Sequence, residues 1–228
     1  IMSTRYNPSI VRDNLVLYLD AANTKSYPGS GTTWTDISGK GHHGTLINGT
    51  IFNSNENSMD FDGTNDQISC GLSGGSLNTS YTYIIWFKFD QGTRSAGSGR
   101  KDILYGINYA RPHFTFDREG DGKWGNYIVK GGSSINNLKS TTSTWKNNKW
   151  YMIATTGNPT RDRIYVDGVL EKEVALSGAY TSWSTFNFSL ANAQSFPGQI
   201  AVAQFFDREL TPEQIKQNYN ALKGRFGL

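Results

Sequence analysis

One stretch constrains the fold more than any other: residues 81–89, YTYIIWFKF. Tyr81, Tyr83, Ile85, Phe87 and Phe89 fall on one face at a period of two, and Ile84 and Trp86 make the middle of the other face apolar as well. A strand that is apolar on both faces near its middle belongs in the centre of a sheet that is covered on each side. Nine residues in extended form span about 30 Å, which suits a wide sheet. No helical pattern separates this segment from the other strand-like runs. Parallel neighbours would need such crossovers, so the sheets are expected to be antiparallel. Two stacked sheets around one shared core is the economical architecture.

The remaining runs agree. Strands are predicted at Leu15–Leu19, Ser58–Phe61, Gln67–Cys70, Asp102–Ile107, Pro112–Asp117, Gly125–Val129, Trp150–Thr156, Phe186–Leu190 and Gly198–Phe206. DRIYVDGVLEKEV reads as a hairpin on the two-residue turn Asp167-Gly168, a pair that takes positive φ at low cost. The total is roughly a dozen strands with turn signals at sandwich spacing. Between Leu19 and the Ser58 run lies a long loop rich in Gly and polar residues. Residues 1–11 read as an extended arm, and 12–228 as one domain without a linker.

One helix is signalled, over about 212–222. Thr211 is its N-cap, Pro212 stands at N1 and Gln214 at N3 completes a capping box. Leu210 and Ile215 occupy the staple positions. Ile215, Tyr219 and Leu222 form one apolar stripe, and Gly224 is the expected stop. Eleven residues are too few to hold alone in water. The helix must therefore dock, with an end or edge of the sandwich as its expected seat.

Composition narrows the class of partner. The net charge is +3, and Lys and Arg never run longer than two, which argues against a nucleic-acid-binding stripe. No window approaches the roughly eighteen apolar residues of a membrane helix. The single cysteine, Cys70, excludes a disulfide framework within the chain and fits assembly in a reducing cytoplasm. The start, IMSTRYNPSI, has no apolar core of signal-peptide length.

FDGTNDQIS, YTYIIWFKF, IYVDGVL and the ending GQIAVAQFFDRELTPEQIKQNYNALKGRFGL occur in this order, preceded by LVLYLDAANTKSYPGSGTTWTDISGKGHHGTLING. With these pieces the chain resembles the concanavalin A-like, laminin G-like jelly-roll domains over about residues 12–228. Its ending is similar to those of such domains in tailed-bacteriophage virion proteins. The resemblance implies an all-β, two-sheet antiparallel jelly-roll sandwich with one short C-terminal helix. It implies a binding or structural role more than catalysis. The expected setting is a virion surface, as a head decoration or tail-associated protein in a repetitive assembly. The alternatives are a carbohydrate-binding module of a bacterial cell-surface or secreted protein, and a glycan hydrolase or lyase. Hydrolases of the superfamily carry a Glu-x-Asp-x-x-Glu strand motif that this chain lacks, so no catalytic residue is assigned.

Three sets of candidate residues follow. Trp34, Trp124 and Trp183 stand in polar, turn-rich surroundings, where an aromatic body facing water needs a reason. With Asn126 they are the candidate glycan-binding residues, against a plainer role packing under loops. Asp60, Asp62 and Asp66 in DFDGTND could present oxygens to calcium, a ligand that laminin G-like domains often hold. Their plainer role is to satisfy the turn's own backbone. No cofactor is required. Tyr6 and Ile10 in the arm, with Phe226 and Leu228 at the other end, are candidate contacts to neighbouring virion subunits. His42 and His43 point opposite ways on extended chain and are read as loop residues.

Overall fold

The computed structural model describes residues 8–72, 79–106, 113–126, 128–130, 133–135, 138–175 and 185–228. In chain order the strands are β1 (Leu15–Asp20), β2 (Thr33–Trp34), β3 (Gly44–Ile47), β4 (Ile51–Asn53), β5 (Ser58–Asp62) and β6 (Gln67–Cys70). Next come β7 (Tyr81–Phe89), β8 (Lys101–Gly106), β9 (His113–Phe116), β10 (Trp124–Asn126), β11 (Ile128–Lys130) and β12 (Ser133–Ile135). The last are β13 (Trp150–Asn158), β14 (Arg161–Val166), β15 (Val169–Ala175), β16 (Phe186–Phe188) and β17 (Pro197–Phe206), before helix α1 (Pro212–Leu222).

They form the expected two-sheet antiparallel sandwich. An eight-stranded sheet runs β15-β14-β13-β7-β17-β5-β4, with β1 also paired to β17, and a seven-stranded sheet runs β10-β9-β8-β16-β6-β3-β2. The hairpin β11-β12 stands apart. The long central strand β7 is buried along all nine residues between β13 and β17. Its two faces serve different cores. Tyr81, Tyr83, Ile85, Phe87 and Phe89 meet the seven-stranded sheet, whereas Ile84 and Trp86 face a second cluster on the outer side.

That second cluster is where α1 docks. The capping box forms as read: Gln214 N donates to Thr211 Oγ1 (3.3 Å), and Thr211 N to Gln214 Oε1 (3.1 Å). Leu210 and Ile215 are fully buried, as a staple requires. The chain does not stop at Gly224. A 3-10 turn continues over Lys223–Phe226, and Gly227 supplies the left-handed stop (φ 71°). This extension brings the Phe226 ring within 4.3 Å of Trp86, while Tyr219 stacks on the same indole at 5.7 Å. The helix thus covers a sheet face, not an end or edge. Burial of each such apolar side chain is worth about 1.5–3 kcal/mol, which offsets the weakness of a short helix. At the Asp167-Gly168 turn (φ 49° and 75°) a Cβ on Gly168 would stand 2.9 Å from Tyr219 Cβ, so glycine lets the hairpin tip touch the helix.

The described end of the N-terminal arm, Ser9–Val11, is also part of the domain. Ile10 and Val11 are buried in the outer cluster, Val11 N donates to Asn218 Oδ1 (2.7 Å), and Gln217 Nε2 donates to Ser9 O (2.8 Å). The division at residue 12 is therefore corrected: the fold reaches back at least to Ser9. Among the described residues no helix is long and apolar enough to cross a membrane.

Candidate functional site

The outer face of the seven-stranded sheet has different chemistry. Its strands turn Trp34, Leu46, Ile68, Cys70, Phe186, Phe188, Phe114 and Phe116 into the core. Strict alternation then sends their neighbours outward. Register lines these neighbours up in one row across six strands: Thr33 opposite Thr45, Thr45 opposite Ser69, Ser69 opposite Asn187, Asn187 opposite Tyr105, and Tyr105 opposite His113. At normal strand spacing the row is about 24 Å long. Thr33 and Thr45 are exposed, Ser69, Asn187 and Tyr105 half-buried, and His113 is buried.

The buried end of the row is rigidly built. The Tyr105 ring meets the His113 imidazole edge-on at 4.9 Å. His113 Nε2 lies 3.0 Å from Arg100 Nη2 and 3.4 Å from Asp102 Oδ1. Arg100 holds Asp102 with two hydrogen bonds, Nε to Oδ1 (3.1 Å) and Nη2 to Oδ2 (2.8 Å). Burial pushes the Asp102 carboxyl up, but His113 and Arg100 outweigh it and hold the group below the usual range. In the middle of the row Asn187 Oδ1 is buried with no hydrogen-bond partner among the described residues. An acceptor in that state costs free energy until a donor reaches it.

Most residues singled out from the sequence sit elsewhere. Trp124 is fully buried, stacked on Phe114 (5.2 Å) and Phe89 (5.7 Å), and so cannot stack on a ligand. Trp34 is equally buried, 6.4 Å from Phe188. Asn126 points into the sandwich, where it donates to Tyr81 Oη (2.7 Å) and accepts from Tyr83 Oη. These three are corrected to core residues: Gly-rich sequence on either side of a short strand made buried rings look like loop rings. Trp183 and Tyr6 lie outside the described residues. Ile10 and Phe226 are corrected likewise, since both pack under the domain's own helix, while Leu228 is 37% exposed.

Asp62 and Asp66 behave as turn residues. Asp62 Oδ1 accepts from Thr64 N (2.7 Å), and Asp66 Oδ2 accepts from Asp62 N (2.9 Å). Among the described residues no three His, Cys, Asp or Glu side chains converge to hold a metal. His43 serves its loop by accepting from Asp36 N through Nδ1 (3.1 Å). Glu119 and Asp121 are both tied to Lys139 Nζ, at 2.5 and 2.8 Å.

Sequence reading missed the row and its Arg100–Asp102–His113 base. Alternation in HFTF and FNF marks His113, Thr115 and Asn187 as outward, but which outward residues become neighbours depends on strand order.

The comparisons with known proteins bear on the fold. Residues 61–216 match the profile of the concanavalin A-like lectin/glucanases superfamily. Among solved structures, the binding domain of botulinum neurotoxin DC in complex with SialylT is similar, with a TM-score of 0.72 at 13% identity, over 92% of this chain and 52% of that one. The same domain in complex with rat synaptotagmin II gives 0.72 at 12%, over 93% and 52%, and the serotype G binding domain 0.68 at 18%, over 90% and 50%. The chain thus spans about half the length of the structures it matches. No curated protein matches the sequence.

Proposed function

The chain belongs to the concanavalin A-like lectin/glucanases superfamily, and from that premise we propose that it is a non-enzymatic module that binds glycans across the outer face of its seven-stranded sheet. The observation that carries this reading is the polar cross-strand row. It offers hydroxyls from Thr33, Thr45 and Ser69, an amide oxygen on Asn187 that has no partner among the described residues, and one braced aromatic ring, Tyr105. Sugars present the matching chemistry, with hydroxyl donors around the ring and a C–H face that packs on an aromatic. The carboxylate next to the row, Asp102, is engaged by Arg100 and His113. Glycoside hydrolysis needs two carboxyl groups flanking the scissile bond, and a binding role asks nothing of that kind. The setting on a virion surface is proposed from the resemblance of the C-terminal sequence alone.

The test is a glycan array followed by calorimetry on the best ligand. Asn187→Ala removes one hydrogen bond and should weaken binding about 2- to 10-fold. Ser69→Trp, placed in the middle of the row, should abolish binding while the far-ultraviolet spectrum stays unchanged. Equal affinity of both variants and the parent would end this reading.

A further inference from the structure

The chain passes from one sheet to the other at a short corner. Strand β3 ends at Ile47, paired with Gln67 of β6 in the seven-stranded sheet, and β4 begins at Ile51, paired with Asp60 of β5 in the eight-stranded sheet. Between them stand Asn48, Gly49 and Thr50. Asn48 and Gly49 both take positive φ (60° and 111°), as an Asn-Gly pair does readily. The same pair in a hairpin would be clamped by a ladder between its flanking strands. Here β3 and β4 pair with other strands and not with each other, so the corner has no ladder of its own.

The corner is held unevenly. On its far side Thr50 Oγ1 lies within hydrogen-bond reach of Ile47 O (3.1 Å) and Gln67 O (2.9 Å). On its near side the Asn48 carboxamide makes one bond, from Nδ2 to Asn65 O (3.1 Å). The bond across the turn, from Thr50 N to Ile47 O, is 3.5 Å long, at the outer limit for such a bond. The Gly49 N–H has no hydrogen-bond partner among the described residues, and Asn48 and Gly49 are both exposed.

These features bring the parts of one reaction together. A backbone nitrogen can attack the side-chain carbonyl carbon of the asparagine before it and close a five-membered imide. A side chain on the attacking residue hinders that closure, and glycine has none. Asn48-Gly49 is the one Asn-Gly pair in the sequence. Asn14, Asn57 and Asn148 share its positive φ and its exposure, but they precede Leu15, Ser58 and Lys149, which makes them internal comparators.

We propose that Asn48 is a site of spontaneous deamidation in the folded protein, and that the change unties this corner. Gly49 N bonds to Asn48 Cγ, the Cγ–Nδ2 bond breaks, and ammonia leaves with the proton from Gly49 N. Water then opens either C–N bond of the imide, its hydroxyl going to carbon and its proton to nitrogen, which leaves aspartate or isoaspartate at 48. A carboxylate there cannot donate to Asn65 O, and Asp66 Oδ1 already stands 3.1 Å from where a Cβ on Gly49 would be. The tie between this corner and the β5–β6 turn is lost, and the net charge of +3 falls by one. Nothing in this chemistry depends on the glycan reading of the other face.

The full chain is incubated at mildly alkaline pH, once folded and once in urea, and mapped by peptide mass spectrometry, with isoaspartate identified by fragmentation. A gain of one mass unit is expected at Asn48, faster than at Asn14, Asn57 or Asn148. Its rate in the folded chain should stay within about tenfold of the rate in urea, because the corner opens locally. Asn48→Gln, which would have to close a less favoured six-membered ring, should not show the change. The deamidated fraction, separated by ion exchange, should melt below the unmodified one. Stronger protection of Asn48 by folding, a faster change at any of the comparators, or equal melting of the two fractions would overturn the proposal.

Discussion

At the scale of single residues, two side chains that look like ligand contacts in the sequence carry stability instead. Trp124 lies among Phe89, Phe114 and Phe116, so Trp124→Ala should cost about 3–5 kcal/mol, read as a fall in the denaturation midpoint. Asn126 satisfies two tyrosine hydroxyls in the core, so Asn126→Leu should cost about 1–3 kcal/mol by leaving both without it. Asp102 is fully buried and holds Arg100 and His113; Asp102→Asn is expected to cost about 3 kcal/mol because it strands a cation. Equilibrium unfolding of each variant in urea checks all three values.

At the scale of elements, the strongest local signals were the legible ones. The span of β7 and β6, the Asp167-Gly168 hairpin and the whole span of α1 follow from alternation, turn chemistry and capping alone. Strands β2, β3 and β4 look like loop in the sequence, because two to four residues interrupted by Gly and Asn show too few periods to count. They exist because β6 and β5 offer them partners, which is a tertiary effect. The α-helix ends at Leu222 as its sequence signals, but Gly224 is not the stop: Phe226 is drawn on to Trp86, and a 3-10 turn carries the chain past that glycine to Gly227. Removing the cap with Thr211→Ala should lower stability by about 1 kcal/mol. Phe226→Ala should cost more, since it uncovers both Trp86 and Trp150.

At the scale of the whole molecule, burial of carboxyl groups shapes the response to acid. Burial pushes Asp60, Asp66 and Asp167 above the ordinary aspartate value. A group raised in the folded state contributes stability that is present below its unfolded pKa, near 4, and lost as pH rises through the folded value. Asp102 works the other way, and its contribution is lost only as pH falls through its lowered value. Melting temperature is therefore expected to rise as pH is lowered from neutral toward the ordinary aspartate value, near 4, and to fall in stronger acid, with Asp60→Asn flattening the rise. Deleting residues 1–11 would remove Ile10, Val11 and the bond to Asn218, so the shortened domain should melt at lower temperature.

The two ends of the described chain have a mechanical consequence. Ser9–Val11 lie beside Gln217 and Asn218, and inside them Leu15 pairs with Phe206. Tension applied across these ends loads the rungs one at a time, as in opening a zipper, and never slides β1 along β17 with every rung resisting together. Tethered by both ends, the domain should yield at low force, shedding arm and helix first and then peeling the eight-stranded sheet from one side.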